Sequence, residues 1–198
     1  IAAIYWSTRL HSNETFSIPK LILLPSCFLA TLLCAAVYVI NYSPLQLGKT
    51  KDAKNLGSGD FTQDMYGWQH IGEEFQKIAL REEDRGTMQK NADLISYRWF
   101  PGAHEDFYVA SLMHRNLYLI GELNDTHKYY WINQQRGGLT RGKDYYHIAV
   151  TNYYRDPNII FGSAFEKIIP LDTINVYRMN TLMRQAYVYK LENYKGAL

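Results

Sequence analysis

The chain has 198 residues, 47% of them hydrophobic, enough for one globular domain with a membrane segment and too few for two full domains. Its net charge is +2 and its pI about 8.4, so it lacks a global basic field and nucleic acid is not expected as a partner. Aromatic residues make up 15% of the chain, 17 of them tyrosine, a composition that suits strands and sugar-contacting surfaces alike.

In chain order, residues 1–16 open on IAAIYW and a polar stretch, read as the end of a preceding membrane helix and a loop, which makes the chain the C-terminal piece of a polytopic protein. Residues 17–43 are the expected transmembrane helix. From Leu21 to Ile40 no charge occurs, and roughly twenty residues cross a bilayer core of about 30 Å. A soluble core helix would be shorter with a polar face, and a signal peptide would have a shorter apolar run and a small-residue cleavage site. Pro25 is placed in the first turn, where proline is tolerated. Cys27 and Cys34 both fall in this run, roughly 10 Å apart along a helix and too far for a bridge. The absence of cysteine elsewhere is compatible with an oxidising compartment without requiring one.

Residues 44–59 read as a linker rich in Lys, Gly and Asp, and residues 60–198 as a soluble domain. A helix is expected from about Thr62, with Asp60 and Thr62 as caps and Ile71, Phe75 and Ile78 on one face. Strands follow at Leu94–Tyr97, Leu117–Leu123 and Tyr145–Thr151, separated by helices at Ala103–Met113 and Thr126–Gln135. Thr173–Arg178 and Ala186–Leu191 read as an antiparallel pair. Strands alternating with helices predict an α/β fold, a mainly parallel sheet with flanking helices built from Rossmann-like βαβ units and closed by that pair.

Two motifs invite a chemical reading. Gly137–Asp144, GGLTRGKD, matches the phosphate-loop pattern except that Asp144 stands where the Mg²⁺-binding hydroxyl belongs, and it follows a helix instead of opening one. It is read as a glycine-rich turn, with a nucleotide-dependent enzyme as a third-ranked reading. His70, Glu73 and Glu74 lack the second histidine of an inverted zinc motif and are read as a solvated helix face. No G-x-S-x-G elbow occurs, and no cysteine nucleophile is available outside the apolar run.

Open α/β sheets place ligands at the carboxyl ends of their strands, where His104, Asp106 and His127 are expected to converge without the spacing of a metal site. Arg98, Trp99 and Tyr108 follow or face the end of the first strand, and Tyr130 and Trp131 lie on a later helix. Such groups stack on a sugar or line a groove, although aromatic packing of helix on sheet is the commoner outcome. The candidate substrate or acceptor contacts are therefore Arg98, Trp99, His104, Tyr108, His127 and Trp131.

Several stretches together resemble the C-terminal region of bacterial membrane glycosyltransferases related to the dolichyl-phosphate-mannose protein mannosyltransferases and the lipid A aminoarabinose transferases. They are Gly59–Phe75 (GDFTQDMYGWQHIGEEF), Tyr97–Ala110 (YRWFPGAHEDFYVA), Asn124–Ile148 (NDTHKYYWINQQRGGLTRGKDYYHI) and Thr151–Pro157 (TNYYRDP). The Gly67-Trp68 dipeptide is the most recognisable piece, while Phe61 stands where the family has proline.

The resemblance implies an integral membrane enzyme whose helix bundle binds a polyprenyl-phosphate sugar and inverts it onto a lipid, glycan or protein acceptor at the external membrane face. The soluble domain would then be periplasmic, on a bacterial inner membrane, with the bilayer, the upstream bundle and a lipid-linked sugar or glycan acceptor as its partners. Charge alone points the other way, since Lys49, Lys51 and Lys54 outnumber Arg9 and Lys20 across the helix. The family's catalytic acids belong to a first external loop, so no catalytic residue and no cofactor is expected here, and a divalent metal for the whole enzyme is left open. The alternative is a single-pass, membrane-anchored, non-enzymatic binding domain.

Overall fold

The computed structural model describes residues 18–49 and 52–196, so the earlier span and loop read over 1–16 lie outside the described residues. The chain divides into two compact units, with the boundary between Asn41 and Tyr42.

Helix α1, Ile18–Tyr42, carries a segment of 21 residues, Ile22–Tyr42, with a mean hydropathy of 2.3, long and apolar enough to cross a membrane. Its apolar side chains from Ile22 to Val39 are exposed, the reverse of a soluble core helix. Polar side chains bond back onto the helix itself: Ser26 Oγ donates to Ile22 O and Thr31 Oγ1 to Cys27 O, both at 2.8 Å. Such bonds would satisfy them in lipid, which offers no partner. Pro25 lies seven residues into the helix, past the expected first turn.

The second unit begins with the chain pinned to the domain. Lys49 N donates to Ser58 O, Leu47 N to Asp60 Oδ2, and Gln46 Nε2 to Leu182 O. A 3-10 turn over Phe61–Met65, capped by Asp60, leads into α2, Trp68–Asp84. Its buried Ile71, Phe75, Ile78 and Ala79 recur at helical spacing. Then come β1 (Leu94–Ser96), α3 (Trp99–Glu105, continuing in helical turns to Met113), β2 (Leu117–Leu119), α4 (Leu123–Thr126), α5 (Tyr129–Gln135), β3 (Tyr145–Val150), α6 (Pro157–Phe161), β4 (Phe165–Arg178) and β5 (Thr181–Tyr194).

The five strands form one mixed sheet in the order β2-β1-β3-β5-β4, which corrects the expected mainly parallel, Rossmann-like architecture. Only β1, β2 and β3 run parallel, and β1 and β2 have three residues each. The sheet is dominated by an antiparallel hairpin of two fourteen-residue strands, β4 and β5, with β5 also antiparallel to β3. The hairpin is twice as long as the alternation over 173–178 and 186–191 implied. β4 contains Pro170 and Asp172, which break the alternating pattern and mark a register shift; an edge strand tolerates both.

All six residues of β3 are buried because the strand is central and covered on both faces. Tyr146, Ile148 and Val150 join the core under α2, while Tyr145 packs with Ile95, Phe161, Phe165 and Leu191 on the opposite face.

Candidate functional site

β1 and β3 end at the same edge of the sheet as the β4–β5 turn, and the residues that follow them build the candidate site. Two glycines set its geometry. Gly67 has φ +77°, and a Cβ there would lie 2.4 Å from Val176 Cγ1, so the turn delivering Trp68 requires glycine. A Cβ on Gly72 would lie 2.1 Å from Tyr108 O, so α2 packs backbone-close against the helical segment carrying Tyr108.

Four planar groups stack in a column. The Arg184 guanidinium lies 4.2 Å over the Trp68 ring; the Trp68 and His104 rings are 4.9 Å apart at 6°, and His104 and Tyr108 are 6.0 Å apart at 14°. Phe100 meets His104 edge-on at 5.0 Å and Tyr153 at 5.1 Å. Arg184 is buried, and its Nη1 and Nη2 donate to Gln63 O at 3.1 Å and Tyr66 O at 2.5 Å. Burial pulls its pKa down to about 9, so it stays protonated at neutral pH. Burial, with the Arg184 charge adding to it, holds His104 below the ordinary imidazole value. It stacks as a neutral ring.

Beside the column, Glu105 is fully buried, and neither carboxyl oxygen has a hydrogen-bond partner. Burial raises its pKa to about 8, which the nearby Arg184 charge offsets only in part, so it is predominantly protonated at neutral pH. Trp68 Nε1 donates to Asp64 O and the Tyr153 hydroxyl to Asp64 Oδ1, both at 2.8 Å. Burial first, then the Asp64 carboxylate, pushes the Tyr153 phenol up. Next to this pair opens a pocket of about 370 Å³ lined by Ser58, Asp60, Phe61, Asp64, Asn152 and Tyr153, at the small end of the range for ligand sites.

The six expected contact residues fall into three settings. His104 and Tyr108 are inside the column. Arg98, Trp99 and His127 form an outer cluster: Trp99, 44% exposed, meets His127 edge-on at 5.3 Å and Phe100 at 5.7 Å, and Arg98 pairs with Asp125 at 3.5 Å. Phe100 therefore joins the outer cluster to the column. Trp131 is exposed on α5, and Tyr130 is its ring neighbour.

The expected convergence of His104, Asp106 and His127 does not occur. Asp106 accepts hydrogen bonds from the Tyr129 hydroxyl at 2.9 Å and from Arg136 at 3.0 and 3.1 Å. Among the described residues no group of three His, Cys, Asp or Glu could hold a metal ion. Arg184, Glu105, Asp64 and Tyr153 are not among the expected contacts; Arg184 lies two residues ahead of the alternation over Ala186–Leu191, at the fourth position of β5.

Gly137–Asp144 is a turn between α5 and β3, tied to the end of β5 by Gly142 N to Tyr194 O and Tyr194 N to Lys143 O, each at 2.9 Å. Lys143 is exposed. Replacing Lys143 with Ala is expected to change unfolding free energy by less than about 0.5 kcal/mol in denaturant titration and to leave the response to added ATP the same as in the parent.

The arrangement is suited to binding: an exposed indole and a half-buried guanidinium for a ring face and its hydroxyls, and a carboxylate, a phenol and a small pocket beside them. Compared with models of known families, with curated proteins and with solved structures, the chain has no match.

Proposed function

We propose that the chain is the carboxy-terminal part of a bacterial membrane glycosyltransferase that uses a polyprenyl-phosphate sugar. In this reading α1 spans the inner membrane, and the unit from Tyr42 onward is a periplasmic accessory domain that positions the lipid-linked sugar or its acceptor for chemistry done elsewhere in the enzyme.

One observation carries the reading. The stretches on which the family resemblance rests are far apart in sequence, yet they interlock around one edge of the sheet. Trp68 from the first stretch stacks on His104 from the second, Phe100 of the second packs on Tyr153 of the last, and Trp99 meets His127 of the third. Arg136 and Tyr129 of the third also bind Asp106 of the second. The edge offers aromatic faces and hydroxyl-binding groups, the chemistry that recognises a sugar, and the same edge receives the chain at Leu45, just beyond the apolar helix.

The test is turnover. The full-length polypeptide, with its upstream sequence, is reconstituted in proteoliposomes with radiolabelled polyprenyl-phosphate sugars, and release of polyprenyl phosphate is followed. Release is expected, and removal of residues 43–198 is expected to abolish it. A protein that consumes no lipid-linked sugar contradicts the proposal and leaves an anchored binding domain in its place.

A further inference from the structure

At the end of the sheet nearest the start of the second unit, six large apolar side chains are left in solvent. Leu45, Leu47, Phe61, Met65, Tyr177 and Met179 are each 52–71% exposed. They lie on three segments that hydrogen bonds join: Arg178 Nη2 donates to Leu45 O at 2.9 Å and its Nη1 to Thr62 Oγ1 at 3.0 Å, and the Tyr66 hydroxyl donates to Tyr177 O at 3.0 Å. The patch is thus a built surface spanning the entering chain, the Phe61–Met65 turn and the tip of the β4–β5 hairpin.

From these residues we infer that the patch is a membrane-docking surface whose occupant is the headgroup and upper acyl region of the bilayer. The inference rests on the reading that α1 spans that bilayer. The tether decides the occupant: Leu45 is three residues beyond Tyr42, the last residue of α1, and three extended residues reach about 10 Å. A patch hydrogen-bonded to Leu45 therefore cannot leave the neighbourhood of the membrane surface. Tyr, Phe, Leu and Met are the side chains that enter this region, with the exposed Lys49 beside them suited to lipid phosphate. Of the two acids within the patch, Asp60 is buried with its carboxylate used by Leu47, Thr62 and Gln63, and Asp64 is half-buried and accepts from the Tyr153 hydroxyl, so each carboxylate is already held by the domain.

The test uses the whole chain with Cys27 and Cys34 replaced by Ser, reconstituted in vesicles of phosphatidylethanolamine and phosphatidylglycerol. Single cysteines at Phe61→Cys, Met179→Cys and Lys167→Cys carry an environment-sensitive fluorophore, and a lipid nitroxide at headgroup depth is the quencher. Lys167 is the distant reference, ten residues down β4 from Tyr177, or roughly 33 Å. Quenching at 61 and 179 is expected to exceed that at 167 by at least about threefold, as insertion of 5–10 Å requires. Equal quenching at all three positions overturns the inference. Shielding of 61 and 179 from both the lipid quencher and aqueous iodide overturns it too, in favour of a protein occupant such as a second copy. A parallel sample labelled only at native Cys34 separates the two readings: if that label is unquenched by acyl-chain nitroxide, the membrane span itself has failed.

Discussion

Replacing Arg184 with Ala is expected to lower the thermal midpoint of the domain by about 6–20 °C, the largest single-residue effect anticipated in this fold. The guanidinium is buried in β5 and holds Gln63 O and Tyr66 O while stacking on Trp68. Truncation leaves two carbonyls without their donor, opens a cavity under an indole and removes a cation–π contact. Breaking such a buried charged network costs roughly 3–5 kcal/mol, and for a domain of this size each kcal/mol moves the midpoint by about 2–4 °C. The measurement is near-ultraviolet circular dichroism of the whole chain in detergent, which follows the packed aromatics and is blind to a surviving α1. Arg184→Lys, which keeps the charge and one hydrogen bond, should fall between; a loss below about 2 °C in Arg184→Ala would show that the column stands without its cation.

The second large effect is on pH dependence. Glu105 keeps its proton in the folded chain up to a pKa of about 8, against 4.5 for the free group, so the folded state binds more protons between those values and stability falls as pH rises through them. His147, buried with Nδ1 on Ile95 O at 2.9 Å and Nε2 unpartnered, has its pKa lowered by burial to about 4 from 6.5, so it costs stability as pH falls below 6.5. Between about pH 4.5 and 6.5 the two slopes oppose each other. Above pH 6.5 the opposing histidine slope fades and Glu105 dominates, and at up to about 1.4 kcal/mol per pH unit the domain should lose roughly 1–2 kcal/mol by pH 8. The lowered carboxylates Glu82 and Asp172 are ionised in both states throughout this window and do not contribute. Glu105→Gln should flatten the loss to below about 0.5 kcal/mol in urea unfolding at pH 6.5 and 8; an equal loss in variant and parent would mean that another group titrates.

Much of the local structure was legible. The uncharged run at Leu21–Ile40 marks α1, the 71, 75, 78 spacing marks the buried face of α2, and the strand expected over Tyr145–Thr151 is β3. Topology was less so, because strand–helix alternation fixes crossovers for β1 to β3 and says nothing about how far a terminal hairpin extends. Pro170 and Asp172 hid the first half of β4, and with it the antiparallel weight of the sheet.

The site was half legible for a similar reason. Arg98, Trp99, His104, Tyr108 and His127 are visible as aromatic or charged groups after a strand. Arg184 and Tyr153 become part of the same place only through the pairing of β3 with β5, a long-range fact no local pattern encodes. Glu105 reads as one more helix carboxylate, and its burial depends on tertiary packing. Trp131 has the residue type of a sugar contact, but no strand end positions it and it is exposed beside Tyr130.

The most direct test of the central reading is the rate of polyprenyl-phosphate-sugar consumption by the full-length protein carrying Trp99→Ala or His127→Ala. Trp99 is 44% exposed, outside the buried column, so the melting temperature should stay within about 3 °C of the parent. A fall in turnover of more than about tenfold at that preserved stability is the result expected of an edge that positions substrate. Unchanged turnover in both variants would contradict it.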